Sequence, residues 1–97
     1  MIHTVVGTRK DQTELRVTLD GKKLSLEKSL QVVNHSPTGF NAGYGGSGPA
    51  QLALAIMLEV FDIETALDIY QEFKWKYLVK QYMLEESFTF QFNDEEI

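Results

Sequence analysis

The sequence predicts an α+β fold: an antiparallel sheet of four to five strands, from N-terminal strands and a C-terminal strand, packed against two α-helices. Three observations predict it. Apolar residues alternate with a period of two through the first third of the chain, glycine crowds the middle, and helical periodicity fills most of the remainder. With 97 residues, of which 43% are apolar and 24% charged, the chain is sized for one core and one soluble domain, residues 1–97.

The strands come first. Ile2 to Arg9 carries the β-branched Thr4, Val5, Val6 and Thr8, and the polar Lys10-Asp11-Gln12-Thr13 after it suits a turn. Leu15, Val17 and Leu19 then alternate with Arg16 and Thr18, and Asp20-Gly21 separates that run from Lys22 to Leu26, which reads as a β-hairpin. Leu30-Gln31-Val32-Val33 suits a further short strand, ended by the turn residues Ser36-Pro37-Thr38-Gly39. Near the end, Ser87-Phe88-Thr89-Phe90-Gln91-Phe92 alternates strictly and closes the sheet with one aromatic face, ahead of an acidic end from Asn93 to Ile97.

Two helices follow the glycines. Pro49 suits the first helical position, where its missing N–H costs nothing, with Ser47 or Gly48 as the N-cap. From Ala50 to Phe61 only Gln51 and Glu59 are polar, so this helix needs cover on more than one side, by the sheet, by the second helix or by a second copy in a homodimer. Asp62 resembles the N-cap of the second helix, from Ile63 to about Gln81. Ile63, Ala66, Leu67, Tyr70, Phe73 and Tyr77 fall there at three- and four-residue spacings. Its acids Glu64, Asp68 and Glu72 precede Lys74, Lys76 and Lys80, an order that suits the helix dipole and a solvated face.

Composition narrows the function. No apolar run approaches the roughly 20 residues that cross a bilayer and no signal-peptide segment opens the chain, so a cytoplasmic protein without membrane contact is expected. Without Cys there is no disulfide or thiolate, and two histidines, His3 and His35, imply no metal site. A formal charge of −5 repels phosphate backbones and disfavours nucleic acid; such binding would need Arg9, Lys10, Arg16, Lys22 and Lys23 gathered on one side of the sheet.

The segment Gly39 to Gly48 holds five of the seven glycines. Gly43-Tyr44-Gly45-Gly46-Ser47-Gly48 satisfies G-x-G-x-x-G before a helix, but a second helix follows where a Rossmann unit needs a parallel strand. Pro49-Ala50 stands where a phosphate-binding loop carries Lys and Ser or Thr, which removes an NTPase site. Ser47 on a strand-to-helix turn suggests a nucleophile elbow with His35 or His3 as base, yet Pro49 replaces its second glycine. What remains is a concave anion site of glycine N–H groups beside a helix N-terminus. The candidate ligand residues are His35, Ser36, Asn41, Tyr44, Gly45, Gly46, Ser47 and Gly48. Against this stands a packing role, in which glycine permits a tight turn and a close helix approach. Trp75, off the buried stripe and flanked by Lys74 and Lys76, is a candidate interaction surface.

The stretch from His35 to Ile56, HSPTGFNAGYGGSGPAQLALAI, resembles the signature of a prokaryotic and phage family of unknown function. Tyr70-Gln71-Glu72-Phe73-Lys74 is similar to that family's second-helix pattern, and Ala42 departs from it where the family tends to carry Trp. The resemblance implies no catalytic residue. It implies a small cytosolic accessory protein of phages and mobile elements. Together these observations lead to a non-enzymatic binding module, without cofactor, that engages a protein partner or a small anionic ligand through the glycine-rich loop. The alternative is a hydrolase or nucleotide-processing enzyme with Ser47 and His35 at that loop.

Overall fold

A computed structural model describes residues 1–97 and has the expected α+β architecture. Strand β1 (Ile2–Arg9) lies between β2 (Leu15–Leu19) and β4 (Phe88–Asn93), and β3 (Lys22–Lys23) completes an antiparallel sheet of order β3-β2-β1-β4. Helix α1 (Leu26–Leu30) follows β3, while α2 (Ser47–Val60) and α3 (Ile63–Tyr77) are the two long helices.

The hairpin forms where Asp20-Gly21 puts both turn residues at positive φ, 52° and 83°, which suits the right-handed twist of the flanking strands. Gly7 in β1 pairs with Val17 on one side and Phe88 on the other; the Phe88 ring occupies the space a Gly7 side chain would fill. Val5, Leu15, Val17, Leu19, Phe88 and Phe92 face inward and join α2 and α3 in one core of 22 buried residues. Phe73 of α3 meets Phe92 edge-on at 5.0 Å, and Tyr77 stacks on Phe90 at 5.2 Å.

Three expectations are corrected. The hairpin's second strand stops at Lys23 instead of reaching Leu26, because Ser25 caps α1 by accepting from the Lys28 N–H at 3.1 Å. Residues 30–33 are not a strand: the Val32 and Val33 N–H groups both bond the Ser29 carbonyl, which closes a helical turn and leaves no ladder donors. Helix α3 ends at Tyr77, short of Gln81, since Gly43 docks its N–H on the Leu78 carbonyl at 2.8 Å and the chain turns into a 3-10 segment, Gln81–Leu84.

Helix α2 begins two residues before Pro49. Gly46 is the N-cap without a side-chain bond, so neither Ser47 nor Gly48 is the cap, and Pro49 is the third helical residue, still inside the turn whose N–H groups lack intrahelical partners. Every residue from Gly48 to Leu58 is buried. One chain thus covers this helix, and the apolar surface that suggested a second copy is already enclosed.

Candidate functional site

The loop between α1 and α2 is fixed from beneath by one polar side chain of the apolar helix. Gln51, fully buried, accepts from the His35 and Ser36 N–H groups at 2.7 and 3.0 Å and donates to Ser29 Oγ and the Val33 carbonyl at 2.8 and 3.0 Å. All its hydrogen-bonding capacity toward the loop is used, as burial of an amide requires. Ser36 Oγ donates to the Gly39 carbonyl at 2.7 Å and closes the next turn.

Arg9, at the end of β1, fixes the other side. Its Nη1 donates to Asn41 Oδ1 at 2.7 Å and its Nη2 to the carbonyls of Ala42 and Met83. Asn41 Oδ1 also accepts from the Ala42 N–H, while its Nδ2 donates to the Gln12 carbonyl at 3.2 Å. No carboxylate pairs with Arg9. The Asp11 carboxylate instead accepts from Thr13 and the Glu14 N–H, which together with the backbone turn holds it below its ordinary range. Burial pushes the Arg9 guanidinium down from its ordinary value, opposed by the charge of Asp11, and its Nε is buried without a partner.

Between these supports lies an open cleft of about 310 Å³, lined by Gln12, Thr13, Ser36, Thr38, Gly39, Phe40, Asn41, Tyr44, Ser47 and Gly48. None of these side chains is ionised at neutral pH. The residues come from the β1–β2 turn, the loop and the first turn of α2, whose N–H groups carry the positive end of the helix dipole. Tyr44, 40% exposed, packs its ring beside Gly46 and places its hydroxyl next to Gly48.

Of the eight candidate ligand residues, Ser36, Asn41, Tyr44, Ser47 and Gly48 line this cleft, and His35, Gly45 and Gly46 do not. His35 Nε2 is 2.8 Å from the Tyr70 hydroxyl, across the loop from α3. His35 and Ser47 share no hydrogen bond, and no acid contacts the imidazole. Gly45 lies under the Trp75 ring, where a Cβ would come within 2.5 Å of Cη2. Trp75 is 60% exposed, but its neighbours diverge. Lys74 is buried, donates to the Gly45 carbonyl at 3.0 Å and sits 4.5 Å from the Trp75 ring centre; Lys76 lies over Tyr77. Sequence reasoning missed Gln12, Thr13 and Thr38 as lining residues, and Arg9 as their support. The inward parity of Val5, Gly7 and Arg9 along β1 is the signal that carries Arg9.

Residues 5–97 match the family of unknown function DUF6166, and the chain belongs to that family. No curated protein and no solved structure matches it. No helix is long and apolar enough to cross a membrane.

Proposed function

We propose that this member of DUF6166 is a non-enzymatic binding protein that takes a small anionic ligand, bearing phosphate or carboxylate, in the cleft at the start of α2. The observation that carries the proposal is a polar cleft without any acidic lining residue, backed by Arg9, a part-buried cation that no carboxylate pairs. A part-buried charge that feels Asp11 without an ion-pair contact to it favours an anion nearby. The first-turn N–H groups of Ser47 and Gly48 add to that field, and the hydroxyls of Tyr44 and Ser47 offer donors to ligand oxygens, while that of Ser36 is spent on the Gly39 carbonyl. Against the hydrolase alternative stands the engagement of His35 with Tyr70. A protein partner is the second occupant, favoured by the exposure of Trp75 over the same loop. The resemblance of residues 35–56 supports a further proposal, that the protein works in the cytoplasm as an accessory factor of phages or mobile elements.

Thermal unfolding with inorganic phosphate, nucleotides or sugar phosphates tests this. A ligand at ten times its Kd contributes about 1.4 kcal/mol and raises Tm by roughly 6–11 °C for a domain of this size. Ser47→Ala, at an exposed hydroxyl with no internal bond, and Gly46→Ala, whose Cβ would meet the Tyr44 ring at 2.5 Å, are expected to reduce that rise while the unliganded proteins stay folded. Absence of any rise with all three ligand classes contradicts the proposal. A partner captured through Trp75 and lost in Trp75→Ala would then move the function to the protein-binding surface.

A further inference from the structure

A second surface lies on the opposite side of the sheet from the helices. Period-two alternation sends Val5 and Gly7 inward and Val6, Thr8 and Lys10 outward on β1, and likewise Arg16 and Thr18 outward on β2. Thr8 is paired with Arg16 and Thr18 with Lys23. Lys10, Arg16 and Lys23 are therefore successive diagonal neighbours across three strands, each step roughly 7–8 Å. They line one shallow hollow of about 550 Å³ with Thr8 and Thr18 between them. Within β1, β2 and β4 the outward positions, including Thr4, Thr89 and Gln91, hold no acid; Glu14 stands just before β2, its carbonyl accepting from the Lys10 N–H. Lys10 and Lys23 have no ion-pair partner, and Arg16 reaches only Glu14, at 3.7 Å with both side chains exposed, a pair that solvent and salt screen. Arg9 is turned inward and does not join them.

We infer that this open sheet face binds the phosphodiester backbone of a nucleic-acid duplex without reading its sequence. The residue types favour phosphate over an acidic protein segment. Protein interfaces are anchored by buried aromatic or large apolar side chains, and the exposed apolar groups of this face, Ile2 and Val6, are aliphatic and lie outside the hollow. Lysine, arginine and threonine contact phosphate oxygens without such anchors. Bases have no aromatic ring to stack on here, which selects a duplex over an unpaired strand. The net charge of −5 does not remove the attraction. Of the fourteen acids, Glu64, Asp68 and Glu72 lie on α3, which packs on the inner face of β4 through Phe73 and Tyr77, while Glu14 and Glu27 stand nearer the cations with exposed side chains, Glu27 lining a neighbouring hollow with Arg16 and Lys23. A sheet-to-helix layer is about 10 Å, near or beyond the screening length of about 8 Å at physiological salt.

Fluorescence anisotropy of a labelled mixed-sequence DNA duplex, titrated with the full chain across a salt series, tests the inference. Three phosphate contacts give a slope of log affinity on log salt of about −2.7, a loss of roughly 40-fold between 50 and 200 mM salt. Lys10→Gln, Arg16→Gln and Lys23→Gln each lower the slope by about one unit, and the triple variant loses salt-sensitive binding. Lys80→Gln, away from the face, leaves binding unchanged. Circular dichroism checks that the variants are folded, which the exposure of all three side chains favours. No binding at low salt, or unaltered binding by the folded triple variant, overturns the inference. Equal competition by polyglutamate of matched charge overturns the choice of nucleic acid and assigns the face to acidic protein segments.

Discussion

His3 is the residue most tightly held by charge. Its ring is stacked on Phe92 at 5.1 Å, and its two nitrogens each lie 2.7 Å from a carboxylate, Nδ1 from Asp20 and Nε2 from Asp94. In its imidazolium form both nitrogens donate, and the ring then ties β1 to the hairpin turn and to the 3-10 segment Asp94–Glu96. Burial alone pulls the His3 pKa down, but the hydrogen bonds and charges of Asp20 and Asp94 outweigh it and the pKa is raised. Hydrogen bonding to His3 is the largest cause that lowers both carboxylates; the Met1 amino group adds to it for Asp94. A raised His pKa stabilises the fold fully below the unfolded value of about 6.5 and loses that contribution as pH climbs through the folded value. The depressed carboxylates contribute above their unfolded value of 3.8 and lose it as pH falls through their folded values. Urea unfolding is therefore expected to show highest resistance between about pH 4 and 6.5, with a decline on the alkaline side that His3→Gln removes. The same alkaline decline in wild type and His3→Gln would show that another group sets it. Nothing in the sequence near His3 announces this clasp, because its partners lie 17 and 91 residues away.

At the scale of elements, the hairpin was legible because Asp20-Gly21 fixes the turn and alternation fixes the inward face, both within nine residues. Helix α2 was legible from its near absence of polar residues. Residues 30–33 were not, since apolar Leu30, Val32 and Val33 satisfy a strand as well as a helical turn, and the choice is made by Gln51, 18 residues beyond Val33. The glycine run and the turn before it exposed five of the cleft residues in advance, but the turn that supplies Gln12 and Thr13 reaches the cleft through β1 and the Asn41 bond. That loop also sets the end of α3. Gly43 has φ of +98°, and a Cβ there would lie 2.4 Å from the Leu84 backbone nitrogen, which cannot swing aside as a side chain does. Gly43→Ala is expected to cost at least about 2 kcal/mol, roughly 8–16 °C in Tm. A differential scanning measurement within a degree or two of wild type would mean that the loop is free of α3.

The whole molecule has sides of different character. One core joins the sheet to both long helices, the outward sheet face collects Lys10, Arg16 and Lys23, α3 carries the acids Glu64, Asp68 and Glu72, and the cleft at the start of α2 is polar but uncharged. The cleft and the cationic face share no lining residue, so the two binding proposals fail or stand independently. The central claim, an anion site in the cleft, is tested most directly by following backbone amide resonances while the full chain is titrated with inorganic phosphate. Saturable shifts confined to Asn41, Tyr44, Ser47 and Gly48, reduced in Ser47→Ala, are the predicted result. Shifts confined to Lys10, Arg16 and Lys23, or no saturable shift anywhere, would contradict it.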